Sequence, residues 1–403
     1  MKIAILSDFH LGYERFAEDS YRQAEEALYK ASEVCDIMII PGDVFDIRNP
    51  RLEVLAQGVN LFRNLGKKNW KAKVVAYKGS KRLFTDLPII AIPGTHERRA
   101  HNAGNSVELL SLAGLLVDAS DSTVEIEKDG ERVAVFAMGG LSEEKVREAL
   151  QSMNPVPVDG AFNVFMFHQS IYELLPFSND FIKFDELPKG FDLYVDGHIH
   201  SRVEQKVFGK PFLIPGSTVL TQLKEGETES KGFYLFDTKT SAYSFITINS
   251  RAFYVEKVNV SEKDPHKIHQ EIGLAIERHL SGSVEKPIIR VVLEGEMAVG
   301  YKQIDIDLAD ILKKYENLAI VEVSKSKIED HASMSEAEAL RSGAFENISI
   351  KDYGLSIFLE QLKGANYSLK MNPSELFEAL SSDEKKDKLV GRIIEELFSK
   401  DVR

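Results

Sequence analysis

The sequence predicts an α/β fold in which two β-sheets lie between layers of helix, followed by a smaller α+β unit and C-terminal helices. Three observations predict it. Through residues 1–250, short β-branched and aromatic runs alternate with helix-spaced segments, the pattern of buried strands beneath amphipathic helices. At 403 residues the chain is too long for one ordinary core, so two or three domains are expected. The apolar runs repeatedly end in Asp or His, which puts polar chemistry at the edge where open α/β sheets bind ligands.

The elements follow in order. "KIAILSD" (2–8) is a strand closing on a carboxylate, and "SYRQAEEALYKASEV" (20–34) has helical spacing with Ser20 as N-cap. "DIMIIPGD" (36–43) is a second strand, "RLEVLAQGVNLFRNL" (51–65) a helix and "LPIIAIPG" (87–94) a third strand. After a helix near 106–116 the strands shorten: "STVEIE", "RVAVFAM", "FNVFMFHQ", "FDLYVDGH" and "KPFLIPGS". "GFYLFD", "YSFITI" and "FYVEKVNV" extend this β-rich part. A small α+β domain is expected over 251–325, from two helices ("PHKIHQEIGLAIERHL", "IDLADILKKY") and two strands ("PIIRVVLEGE", "LAIVEVSK"). Residues 326–349 are polar and weakly patterned, which marks a linker, and helical segments follow over 350–403.

Bulk composition narrows the class. No apolar run is long enough to span a membrane, and because the chain enters a strand within its first residues no signal peptide is expected. Cys35 stands alone, so no internal disulfide forms, and a reducing, cytoplasmic setting is expected. A net charge of −13 argues against a basic coat. A local basic groove or bound divalent cations would still admit nucleic acid.

Five segments end in metal-binding residues: "SDFH" (Asp8, His10), "GDVFD" (Asp43), "GTHE" (Thr95, His96), "MFHQS" (His168) and "DGHIH" (His198, His200). Five of the ten histidines sit there. Any one of them alone reads as a histidine satisfied by a carbonyl, and an isolated HxH carries little weight. Their joint placement after strands is another matter. Imidazoles and carboxylates without thiolates suit Mn, Fe or Zn, and a shared carboxylate suits a two-metal site.

"DFH", "GD", "GTHE", "FHQ" and "GHIH" resemble, in order, the five motifs of the calcineurin-like metallophosphoesterase superfamily over about residues 1–225. The resemblance implies a two-sheet sandwich flanked by helices. It implies one metal held by Asp8, His10 and His200, a second by His168 and His198, and Asp43 bridging both. His96 would contact the scissile phosphate and protonate or stabilise the leaving oxygen. Thr95 departs from the family's Asn: its hydroxyl is a shorter, weaker ligand, which water, His101 or Asn102 could supplement.

"DFHLGYERF" and "GDVFDIRNP" are similar to the Mre-eleven/SbcD family of break-repair nucleases. That resemblance implies two Mn²⁺ per subunit, duplex 3′–5′ exonuclease and single-strand endonuclease action, and a phosphoesterase domain (1–250) with a capping domain (251–325). Partners would be DNA, a homodimer mate, and an SbcC-type (Rad-fifty) ATPase bound through the helices of 350–403. Candidate dimer contacts are Leu55, Val59, Leu109 and Leu110, and an amphipathic helix covering its own sheet has the same pattern.

The basic, aromatic stretch 64–84 reads equally as a DNA contact (Lys78, Lys81, Arg82) and as a solvated hairpin with core aromatics. Tyr13, Arg15, Arg98 and Arg99 flank the metal motifs and are further candidates for DNA. The rival functions are a small-molecule phosphodiesterase or phosphatase, and a catalytically weakened DNA-binding scaffold.

Overall fold

The computed structural model describes residues 1–98, 104–176, 178, 180–280 and 285–329. The first sheet contains β1 (Lys2–Ile5), β2 (Ile37–Ile40), β4 (Ile89–Ala91), β5 (Val117–Asp118), β12 (Gly232–Asp237) and β13 (Tyr243–Thr247). Helices α1 (Ala17–Val34), α2 (Leu52–Gly66) and α3 (Ser106–Leu112) connect its parallel strands. The second sheet contains β3 (Lys73–Lys78), β6 (Ser122–Lys128), β7 (Glu131–Ala137), β8 (Phe162–Phe167), β9 (Leu193–Asp196), β10 (Val203–Val207) and β11 (Lys210–Ile214), with α4 (Glu143–Met153) between β7 and β8. Strand orders are β13-β12-β1-β2-β4-β5 and β10-β11-β9-β8-β7-β6-β3.

Alternation along each strand builds the layers. Ile3 and Ile5 of β1 and Ile37 and Ile39 of β2 face Val124, Val133, Val164 and Val195 of the second sheet, closing a dry core between the sheets. Ala4, Met38 and Ile40 point the other way, onto Ala24, Ala27, Leu28 and Ala31 of α1. Small residues at that helical spacing let α1 lie close on the sheet. The second sheet's outer face is covered by Phe165, Phe167, Phe191 and Phe212 with Val146 of α4.

A third sheet, β14 (Phe253–Asn259), β15 (Ile288–Glu296) and β16 (Ile320–Glu329), is all parallel. With α5 (Pro265–Glu277) and α6 (Ala309–Tyr315) it encloses its own core around Ile272, Ile289 and Val291. The first residues of its strands, Phe253, Ile288 and Ile320, pack on Phe16, Leu220 and Leu223. Ion pairs flank this joint: Arg15 with Glu322 at 2.5 Å, Lys257 with Glu225 at 2.7 Å, and Arg251 with Asp19.

Several expectations change. Ser20 is not an N-cap: α1 begins at Ala17, and the Ser20 hydroxyl donates to the Ala17 carbonyl at 2.9 Å. Arg251 grips Asp19 in that first turn, so a tertiary ion pair sets a start that local capping did not signal. The expected linker from residue 326 begins too early, because β16 runs to Glu329, pairing Lys327 with Glu294 and Glu329 with Glu296. Backbone pairing outweighs the polar sequence there. Helix α4 went unread, since Val146 is its one buried side chain. Leu110 is core, fully buried under α3, whereas Leu109, Leu112 and Leu52 are exposed. Leu55 and Val59 are half-buried against the α1–α3 core. Residues 350–403 lie outside the described residues. No described helix is long and apolar enough to cross a membrane.

Candidate metal centre

Five parallel strands, β1, β2, β4, β8 and β9, end at one edge of the two sheets, and each hands its chain to one candidate segment. The loops are then stitched together. Asp8 N–H donates to Gly42 O at 3.2 Å and His10 N–H to Asp43 O at 3.1 Å. The Asp8 carboxylate accepts from His198 N–H at 3.2 Å, and that of Asp43 accepts from His96 N–H at 2.9 Å. Asp8, His10, Asp43 and His198 all have positive φ, between 46° and 70°. Such backbone is strained for residues with a Cβ and persists where the surroundings over-determine it. Glycine is required beside them: a Cβ on Gly94 would fall 2.2 Å from Asp43 Oδ1.

Asp8, His10, Asp43 and His200 offer ligand atoms within 4.8 Å of one another. His168 Nε2 lies 3.3 Å from Asp43 Oδ2, and Thr95 Oγ1 sits 3.0 Å from His168 Nε2 and 3.1 Å from His198 Nδ1. Two donor groups therefore meet at Asp43, and the Thr95 hydroxyl falls inside the second. A supplementary role for His101 or Asn102 lies outside the described residues.

The donor set fits a pair of cations. Asp8 Oδ2 is buried without a partner among the described residues. His10 Nε2 and His200 Nε2 face each other at 3.1 Å. The outer ring nitrogens are held: His10 Nδ1 by Asp46 at 3.1 Å, His168 Nδ1 by Pro41 O at 2.7 Å, His198 Nε2 by Ser170 at 3.0 Å, and His200 Nδ1 by Thr221. Outer partners of this kind set the tautomer and aim the inner nitrogen at an ion.

Burial and close charges shift the protonation of the bare cluster. Burial pushes the Asp8 carboxyl up to about 6. Burial opposes the charge on His168, but Asp43 outweighs it and raises the imidazole to about 10. Asp43 is correspondingly held well below the usual carboxylate range, burial notwithstanding. Burial lowers His198 to about 4, and His200 well below its ordinary value.

His96 differs from the other histidines of the centre in being exposed, at 43 %. Its Nδ1 is held by the Asp46 carbonyl and its ring stands edge-on to His10, centroids 4.8 Å apart. With Nδ1 donating, Nε2 is the nitrogen left for proton exchange.

Sequence reasoning passed over the supporting groups. Glu97, fully buried, accepts from Gly94 N–H at 2.9 Å and Phe45 N–H at 2.8 Å, and burial followed by Asp43 pushes it up to about 8. Its place in "GTHE" and that of Asp46 in "GDVFD" were visible signals. Ser170 closes "MFHQS" in the same way, whereas nothing local marked Thr221, Glu227 or Lys231.

The candidate DNA residues are more scattered. Tyr13 donates to Thr221 O at 2.7 Å, and Arg15 pairs with Glu322 of the third-sheet unit. Lys78 pairs with Glu125 at 3.1 Å, Lys81 with the buried Asp118, and Arg82 lies 5.4 Å over the Phe84 ring. Trp70 is buried, its Nε1 donating to Leu65 O at 3.0 Å. Three of the seven basic side chains in 64–84, Lys73, Lys78 and Lys81, are thus met by carboxylates. Arg98 is half-buried just past His96, and Arg99 lies outside the described residues.

A family model described as calcineurin-like phosphoesterase matches residues 1–202. The DNA double-strand break repair protein Mre11 of Sulfolobus acidocaldarius is 27% identical over 323 residues, covering 74% of this chain and 76% of that protein. The protein of the same name from Saccharolobus solfataricus is 24% identical over 314 residues, with coverage of 73% and 76%. The double-strand break repair protein MRE11 of Encephalitozoon cuniculi is 28% identical over 259 residues, 58% of this chain and 45% of that one.

Proposed function

The chain belongs to the calcineurin-like phosphoesterase family, and from that premise we propose that it is a Mn²⁺-dependent DNA nuclease of double-strand-break repair. The observation that carries the reading is the meeting of two N/O donor groups at the one carboxylate of Asp43. Asp8, His10 and His200 would hold one cation, His168 and His198 the other with Thr95 beside them, and Asp43 would be shared. Two divalent cations bound there neutralise a phosphodiester and acidify the attacking water.

The remaining work belongs to the chain's own residues. Asp46 fixes His10 and, through its carbonyl, keeps the His96 proton on Nδ1. A protonated His96 Nε2 then delivers a proton to the leaving oxygen. Glu97 ties Gly94 to Phe45 and so locks the loop carrying Thr95 and His96 against the Asp43 loop.

Sequence similarity to the Mre11 proteins supports DNA as substrate, with duplex 3′–5′ exonuclease and single-strand endonuclease action. It also supports a homodimer, and an SbcC-type (Rad-fifty) ATPase bound through residues 350–403, with 251–325 as the capping domain. The net charge of −13 and the paired state of Lys78 and Lys81 favour a second reading, a small-molecule phosphodiesterase or phosphatase.

Degradation of linear duplex DNA with Mn²⁺, with His96→Ala as the blank, separates the two. Loss of DNA in the wild type alone supports the nuclease. Turnover of a small phosphodiester without cleavage or binding of DNA supports the second reading.

A further inference from the structure

The two histidines of "GHIH" stand on parallel supports. His198 Nε2 lies 3.0 Å from Ser170 Oγ, and Ser170 Oγ donates to Glu143 Oε1 at 2.7 Å. His200 Nδ1 meets Thr221 Oγ1, which donates to Glu227 Oε1 at 3.3 Å. Each is an imidazole–hydroxyl–carboxylate chain. The bond directions are forced, because a carboxylate accepts only. Each hydroxyl spends its proton on the carboxylate and must accept from the imidazole N–H. His198 therefore carries its proton on Nε2, and Nδ1 turns a lone pair toward Thr95 and His168.

Glu227 has another occupation: it also accepts from Thr221 N–H, Gln222 N–H and Lys231. Glu143 does not. It opens α4, where the helix N-terminus favours a negative charge. Ser170 is its hydrogen-bond partner, and its other oxygen is buried with none among the described residues. A carboxylate with one oxygen buried and unsatisfied is costly unless it serves a site.

The geometry points to Ser170 and Glu143 as positioning residues that lock His198 in the Nε2–H tautomer, so that its Nδ1 completes the second of two cation sites. This rests on the proposed cation pair. Without Ser170, the His198 proton is free to sit on Nδ1 and block that nitrogen.

The test uses the full chain, titrated calorimetrically with Mn²⁺, and two-bond ¹H–¹⁵N spectra of the metal-stripped, histidine-labelled protein. The wild type should bind two ions and show His198 protonated at Nε2. Ser170→Ala should weaken one site roughly 10–100-fold, the range for losing an outer-shell partner, leave the other unchanged, and mix the tautomers. Ser170→Thr should restore both readouts. Glu143→Gln, which keeps shape and removes charge, should weaken the same site by about 10-fold. Two sites of wild-type affinity in Ser170→Ala and Glu143→Gln, or His198 protonated at Nδ1 in the wild type, would overturn the inference alone. A wild type that binds no Mn²⁺ would remove the cation pair and the inference together.

Discussion

Lys231 shows how far the support of the centre extends. Its side chain is 6 % exposed, and its ammonium lies 2.9 Å from Oε2 of Glu227, a side chain 4 % exposed. It also donates to Ser217 Oγ at 3.0 Å and the His200 carbonyl at 3.3 Å. At that separation the direct attraction is about 6 kcal/mol for an effective dielectric near 20, much of it offset by the cost of burying both ions. Removing one partner exposes the asymmetry. Lys231→Met leaves Glu227 buried and uncompensated, which costs about 3–5 kcal/mol. The domain's melting temperature should then fall by roughly 6–20 °C, at 2–4 °C per kcal/mol for a unit of this size. Lys231→Met/Glu227→Gln removes both charges and should recover most of the loss. Calorimetric melting of the three proteins, metal-stripped, reads both numbers. A single variant within about 1 kcal/mol of wild type, or a double variant no more stable than the single, would refute the buried-pair argument.

Other outcomes follow from the same geometry. Glu97→Ala should cost about 1–3 kcal/mol for each of the two buried N–H groups it strands, seen as a lowered urea midpoint; an unchanged midpoint would mean the loop finds other acceptors. In metal-stripped protein, Glu97 (up to about 8), Asp8 (about 6) and His168 (about 10) all have folded pKa values above their unfolded ones. Their contribution is present at low pH and lost as pH rises, from about 4 through 8 for the carboxyls and from 6.5 through 10 for His168. Below about 6.5 the depressed His198 and His200 act in the opposite direction, so melting between pH 7 and 9 should show that fall, and Mn²⁺ should reverse it. Thr95→Val removes the oxygen between His168 and His198, so bound Mn²⁺ should drop from two per chain toward one by elemental analysis; retention of two would exclude the hydroxyl as a ligand. Burial pushes the Cys35 thiol up to about 12, so a thiol reagent at pH 8 should react only on unfolding, and rapid labelling of the native chain would contradict its burial.

What the sequence determined by itself is the part carried by local periodicity. Ile3, Ile5, Ile37 and Ile39 alternate with Ala4, Met38 and Ile40, so strand identity, two-faced burial and the layered class were legible. Because parallel strands end on one edge, the gathering of Asp8, His10, Asp43, His168, His198 and His200 could also be anticipated. The tertiary structure decided everything that depends on partners distant in the chain. Glu143 meets Ser170 across 27 residues and Thr221 meets His200 across 21. Lys81 finds Asp118 across 37 residues, which takes one lysine of the basic stretch into an ion pair. Arg251 reaches back 232 residues to Asp19 at the start of α1. Periodicity reports which way a side chain points relative to its own backbone. The hydrogen a hydroxyl offers, and the charge that claims it, are set only when separate strands and loops have packed together.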